Sequence, residues 1–175
     1  MARPTIENLR QVGDFQSSFR WNMRIDTPPS AVSGFPNSDN LNLRLESTSL
    51  PKTTNQMTEV MIRGHKVKQP SIMEYDGQIN FAFVETVDNV VKTFIKQWRE
   101  ALWATRTGVA ASDRRGLQAV VTLTLLNNQD TEVWRYKLYG VMLTDYDMGQ
   151  LDGSNTDAVK PNITLAYDYF EDSAV

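Results

Sequence analysis

Residues 78–102 read QINFAFVETVDNVVKTFIKQWREAL, and the hydrophobic period changes inside that stretch. Ile79, Phe81 and Phe83 fall on one face of an extended segment from Gln78 to Val84, the period of two that a half-buried strand requires. From Val87 the apolar positions become Val87, Val90, Val91, Phe94, Ile95, Trp98 and Leu102, spaced i, i+3, i+4, i+7, i+8, i+11 and i+15. That is one stripe of an amphipathic helix, with Lys92, Lys96, Arg99 and Glu100 mostly off it. Thr86 is placed to cap the N-terminus, and Asp88 puts a negative charge in the first turn. The pattern predicts a helix over about 87–104, the only long helix in the chain.

Working outward, strand patterns lie on both sides. Upstream, Asp76-Gly77 is a turn signal, and Thr58 to Val67 sets Val60 and Ile62 against Glu59 and Arg63, a strand expected to stop before Pro70. Lys52 to Gln56 is polar and unpatterned. Leu41, Leu43 and Leu45 alternate with polar residues up to Leu50-Pro51, which predicts another strand. Asp26 to Asn40, with Pro28, Pro29 and Pro36, reads as an exposed loop. Ser17 to Ile25 alternates through Phe19, Trp21, Met23 and Ile25 and reads as the first strand. Downstream, 105–116 reads as a mobile loop. Gln118 to Leu126 and Glu132 to Thr144 form a hairpin around Asn127 to Asp130, 145–161 is a second polar loop, and Asn162 to Phe170 is the last strand.

This order predicts an α+β chain that is predominantly β: an antiparallel barrel or sandwich flanked by one amphipathic helix. It reads as a single domain, 1–175, with an N-terminal arm, 1–16, and an acidic tail, 171–175. Loops at 26–40, 105–116 and 145–161 approach or exceed the ~12 residues beyond which loops are usually functional or disordered.

Composition narrows the function. Apolar residues make up 41% of the 175 and charged residues 22%, enough core and little enough charge for a folded domain. Lys and Arg number 18 against 21 Asp and Glu, and this net charge of -3 has the wrong sign for gripping a phosphate backbone. With no cysteine, thiolate metal sites, disulfides and cysteine nucleophiles are excluded. Residues 1–15 carry Arg3, Glu7, Arg10 and Asp14 and lack the apolar centre of a secretory signal, and no apolar run reaches the ~18 residues of a membrane span. A soluble chain starting in the cytoplasm, with no membrane anchor, is expected.

Individual residues carry little chemistry. His65 is the only histidine, and no spacing supplies the orienting carboxylate and nucleophile that a catalytic imidazole needs. Arg63, His65, Lys66 and Lys68 make a small basic run, whose interleaving with Ile62, Gly64 and Val67 fits the solvated face of a strand at least as well as a phosphate contact. Asp145, Asp147 and Asp152 lack the ligand spacing of a calcium loop. An enzyme would have to use a carboxylate pair such as Glu85 and Asp88. Trp21, Trp98, Trp134 and Tyr136 sit on apolar faces and read as core, though a small-ligand-binding barrel would also use such aromatics. No catalytic, cofactor or metal residue is assigned, and the chain reads as a domain for binding or assembly rather than catalysis.

A resemblance sharpens this. Ser47-Thr48-Ser49-Leu50-Pro51, Arg63-Gly64-His65-Lys66-Val67, the turn and aromatic strand from Tyr75 to Phe83, the helix with Trp98, and Ile163 to Glu171 occur in an order similar to that of the tail tube proteins of contractile-tailed, T4-type bacteriophages. The resemblance implies a barrel-like subunit of a hexameric ring, with rings stacked into a hollow tube inside a sheath, strands facing the lumen and the helix outside. Implied partners are other copies of the chain, the tail sheath protein, the baseplate or tube initiator and the tape measure protein, with DNA only as non-specific cargo. The implied location is the virion tail, assembled in the host bacterial cytoplasm. Subunit contacts are expected from 1–16, 50–58, 105–116 and 145–161, with Leu50, Pro51, Lys52, Arg114, Arg115, Asp145, Asp147 and Asp152 as candidate residues. Ser71-Ile72 after Pro70 and a long first loop depart from the family pattern, which keeps a tube initiator or terminator as an alternative, beside the inner tube of a type VI secretion or other contractile injection system.

Overall fold

Strands Trp21–Thr27 (β1) and Ala119–Leu126 (β6) pair antiparallel, and β6 continues through a turn into the longest strand, Glu132–Asp147 (β7). The computed structural model describes residues 6–11, 13–154 and 156–175. The other elements are α1 (Ile6–Arg10), α2 (Ser38–Asn42), β2 (Leu45–Thr48), β3 (Thr53–Ile62), β4 (His65–Tyr75), β5 (Gln78–Phe83), α3 (Val90–Leu102), α4 (Arg114–Leu117), β8 (Asn162–Ala166) and β9 (Tyr169–Ala174). The main sheet has the order β1-β6-β7-β8-β5-β2, with β9 also on β7; β3 and β4 form a separate two-stranded sheet.

Alternation decides the main sheet. Ile79, Phe81 and Phe83 of β5, Val121 and Leu123 of β6, and Ile163 and Leu165 of β8 are buried on one side, where Val91, Phe94, Ile95 and Trp98 of α3 join them. Phe35 packs edge-on against Phe94 and Trp98 with ring centroids 5.0 and 5.7 Å apart. The Trp98 indole N–H donates to the Leu117 carbonyl at 3.4 Å. One tryptophan thus joins the helix, the first long loop and the segment before β6.

β8 and β9 run along successive parts of β7, with Ala166 opposite Met142 and Tyr169 opposite Tyr139. The break at Tyr167-Asp168 faces Gly140, whose φ of 68° is left-handed, and a Cβ there would lie 2.2 Å from an Asp168 carboxylate oxygen. Glycine is therefore required on both counts.

The sheet is not closed, because β1 and β2 end it. The outer edge of β1 nevertheless finds partners: the Met23 amide donates to Asn42 Oδ1 at 2.8 Å and the Ile25 amide to Ser38 Oγ at 3.0 Å, both from α2. Side chains of a helical turn take the place of a neighbouring strand.

Several boundaries differ from the sequence expectation. The long helix starts at Val90 instead of 87: Asn89 is left-handed (φ 53°), Val87 is 99% exposed, and the Glu85 carboxylate accepts the Val91 and Lys92 amides at 3.3 and 2.8 Å, the capping role expected of Thr86. Thr86 and Asp88 instead receive the Arg44 guanidinium at 2.9 and 2.8 Å, so neither Glu85 nor Asp88 is a free acid-base pair. The leucine alternation misleads: Leu41 is buried in α2, Leu43 is exposed, and the strand begins only at Leu45. The first strand begins at Trp21 and runs through Asp26 to Thr27. β7 runs on to Asp147, so Asp145 and Asp147 are strand residues. The acidic tail is strand β9 paired with β7. Of the N-terminal arm, residues 1–5 and 12 lie outside the described residues, and 6–10 form a helical turn.

The largest difference lies at 52–75. Where one strand was expected to end before Pro70, β3 and β4 form a long hairpin that includes both the polar stretch after Lys52 and Pro70 itself. Arg63 (φ 49°) and Gly64 (φ 81°) make its two-residue turn, the pair of positive φ values that matches the twist of a tight hairpin.

Candidate assembly surface

Every residue of β3 is exposed, and in β4 only Tyr75, at the root, is half-buried. Ten extended residues at about 3.3 Å each carry the tip roughly 30 Å from the root. Met57, Val60, Met61, Ile62, Val67, Ile72 and Met73 are all exposed large apolar side chains on this arm. A two-stranded ribbon alone is marginal in water, and one that shows apolar groups and two unpaired edges is built to be covered.

The register sorts its outer half. Alternate positions place Thr58, Val60, Ile62, His65, Val67 and Gln69 on one face and Met57, Glu59, Met61, Lys66, Lys68 and Pro70 on the other. On the second face Glu59 pairs with Lys66 and, at 3.4 Å, with Lys68. The basic run read from the sequence is therefore split between the turn and both faces.

The hairpin is rooted at one end of the sheet. The Asp76 amide donates to the Lys52 carbonyl and the Tyr167 amide to the Gly77 carbonyl, each at 2.9 Å, and Tyr75 packs edge-on against Phe170 at 5.5 Å. Leu50, Pro51 and Lys52 form this root. Arg114 reaches the same end: it holds Asp168, next to Tyr167, through two bonds of 2.8 and 2.7 Å. Arg115 is exposed beside it. Asp145 and Asp147 lie at the other end of β8, opposite Thr164 and Asn162. Asp145, within β7, accepts the Tyr146 amide, while Asp147 accepts the Gly149 amide and Asp152 the Ser154 amide, each at 2.9 Å, so the last two carboxylates shape turns. The Ser154 amide and then its hydroxyl hold the Asp152 carboxyl below the usual range. Leu50 to Lys52 with Arg114 and Arg115, and Asp145 with Asp147, thus fall at opposite ends of the body; the expected contact segment 50–58 takes in the first part of β3, and the one local signal for the rest of the arm is Arg63-Gly64 between Ile62 and His65.

The 105–116 loop is tied to the body. The Ala111 amide donates to the Ala101 carbonyl at 2.8 Å, the Ala31 amide donates to the Gly116 carbonyl at 3.0 Å, and Asp113 caps α4. At its start the Thr105 hydroxyl, then the Thr105 amide and the Arg99 guanidinium, hold the Glu100 carboxyl at about 2. A carboxyl lowered by folding supports this contact fully above its ordinary value near 4.5 and loses that support as pH falls toward 2. Carbon NMR of the Glu100 carboxyl should give a midpoint near 2, with the Thr105 amide losing exchange protection over the same interval. A midpoint above 4 would show that these bonds do not form in solution.

A groove of about 290 Å³ opens between the two sheet ends, lined by Ser18, Trp21, Thr48, Leu50, Leu123 and Leu125 among others. Among the described residues no charged side chain lines it, and Leu50 places it next to the hairpin root. Among the described residues no helix is long and apolar enough to cross a membrane.

Known proteins share this architecture. A 14%-identical chain of the anti-feeding prophage baseplate, from a six-fold symmetrised cryo-EM structure, superposes with a TM-score of 0.67 over 93% of this chain and 97% of its own. A chain from the sheath-tube complex of the PVC extracellular contractile injection system, also 14% identical, gives 0.65 over 99% and 100%. One from that system's sheath/tube terminator, 15% identical, gives 0.66 over 93% and 99%. No curated protein matches in sequence. The sequence profile described as T4-like virus tail tube protein gp19 matches residues 17–171. The chain belongs to the T4-like virus tail tube protein family.

Proposed function

We propose that this chain, folded as one domain over 1–175, is the repeating subunit of hexameric rings that stack head to tail into the inner tube of a phage tail. The observation that carries this is the hairpin β3–β4, a roughly 30 Å arm whose apolar side chains are left uncovered by the described residues of the subunit. An arm on one end of a body that docks on a different surface of the next copy repeats without limit, which is the requirement for a tube. Leu50, Pro51, Lys52, Arg114 and Arg115 contribute at the hairpin end, and Asp145, Asp147 and Asp152 at the other. The sheath surrounds the tube, the baseplate or tube initiator nucleates it and the tape measure protein occupies it during assembly in the host bacterial cytoplasm; the finished location is the virion tail. DNA passes through during ejection without being held, in keeping with a net charge of -3, which offers phosphates few counterion-releasing contacts. The role is structural and includes no reaction.

Electron microscopy of the purified protein across a concentration series tests this reading. Rings or tubes with a central channel and six-fold symmetry are expected. Monomers throughout would overturn it.

A further inference from the structure

The two faces of the hairpin's outer half differ in charge, and the uncharged one matches in chemistry the groove at Trp21 and Leu50 of the same chain. Resting on the reading that the hairpin is the assembly element, we propose that it docks by its uncharged face alone. Val60, Ile62 and Val67 enter the uncharged groove at Trp21, Leu50 and Leu125 of a second copy, and the face bearing Glu59, Lys66 and Lys68 remains in water.

The arguments are of charge, size and reach. Burying Glu59 with its two lysines in a groove without charged groups would strip three ions of water and give them no new partners, a penalty that the opposite face does not carry. That face presents only His65 as a titratable group, at the turn, and its cross-strand pair Val60–Val67 forms a compact aliphatic ridge. A cavity of about 290 Å³ has room for a few such side chains and excludes a whole strand pair. The occupant cannot be the chain's own tip, because Leu50 lies at the hairpin root and the tip lies roughly 30 Å away from it. The tip is a donor and the root an acceptor at opposite ends of one arm, so each copy that receives a hairpin also offers one. Such a contact is heterologous and propagates.

The natural chain has no cysteine, which makes thiol trapping unambiguous. The experiment compares Val67→Cys with Leu50→Cys in one chain against Lys66→Cys with Leu50→Cys. Positions 66 and 67 are adjacent in the backbone, about 3.8 Å apart, and differ chiefly in the face they occupy. After assembly and mild oxidation, the Val67 pair is expected to give a ladder of covalent oligomers on a non-reducing gel, at least about tenfold faster than the Lys66 pair. In parallel, peroxide footprinting of the unmodified chain is expected to leave Met57 and Met61, on the charged face, as reactive in the assembled state as in the monomer. A Lys66 ladder as fast as that of Val67, tubes with no ladder from either pair, or protection of both methionines would overturn the assignment of the face while leaving the hairpin as the assembly element. A wild-type chain that never assembles would overturn both.

Discussion

Excising residues 54–74 and joining Thr53 to Tyr75 through a short glycine-serine turn is expected to abolish rings and tubes at every concentration at which the intact chain forms them. The subunit itself should survive. β3 and β4 pair only with each other, and the anchoring bond from the Asp76 amide to the Lys52 carbonyl lies outside the excised stretch. The rings of Tyr75 and Phe170 also remain. Circular dichroism melting should therefore move by less than about 4 °C, the shift that roughly 1 kcal/mol produces in a domain of this size. Tubes formed by the excised chain would mean that the ends of the body alone carry assembly. A collapse of the melting transition would mean that the arm supports the fold from which it projects.

The second large effect is expected at Trp98. Its side chain is fully buried, touches Phe35 and Phe94 edge-on or tilted, and donates to the Leu117 carbonyl. Trp98→Ala removes the largest apolar volume under α3 and should cost about 3–5 kcal/mol in urea denaturation. Trp98→Phe keeps most of the ring contact but leaves the Leu117 carbonyl without its donor, and about 1–2 kcal/mol is expected. Hydrogen exchange would locate the loss: loosening at Phe35, in the loop before α2, and at Leu117, at the end of α4, marks the tryptophan as the common anchor of both. Destabilisation by Trp98→Ala of less than about 1 kcal/mol would remove that role.

The legible parts of the fold are those where burial writes a period into the chain. β5 and α3 bury one face each, so Ile79, Phe81 and Phe83, or Val91, Phe94, Ile95 and Trp98, recur at the spacing of their backbone. The hairpin writes no such period. With both of its faces exposed, Thr53 to Gln56 had no reason to alternate, and a turn built on Arg63 conceals itself, since asparagine or aspartate normally stands where φ must be positive. Pro70 reads as a terminator because a proline in an interior strand removes a bond to its neighbour; in a two-stranded ribbon with one side open to water it removes nothing. Leu41, Leu43 and Leu45 show the reverse fault, a chance alternation across a helical turn and a strand start. Loops and strand ends supply the candidate contact residues, and of the arm that selection takes in only its first part, up to Thr58, because regular structure exposed on both faces carries no mark of its own.

The helical turn over the outer edge of β1 bears on the life of the subunit before any tail exists. On the proposed function the subunit has to wait in solution before it assembles, and an open sheet edge is the natural seed of fibrils. Asn42 and Ser38 occupy the amides of Met23 and Ile25 that a stray strand would seek. On the proposed assembly, a waiting pool is thereby steered away from sheet-on-sheet growth, and the arm, kept separate from that edge, is the element that sets when and in which direction polymerisation begins.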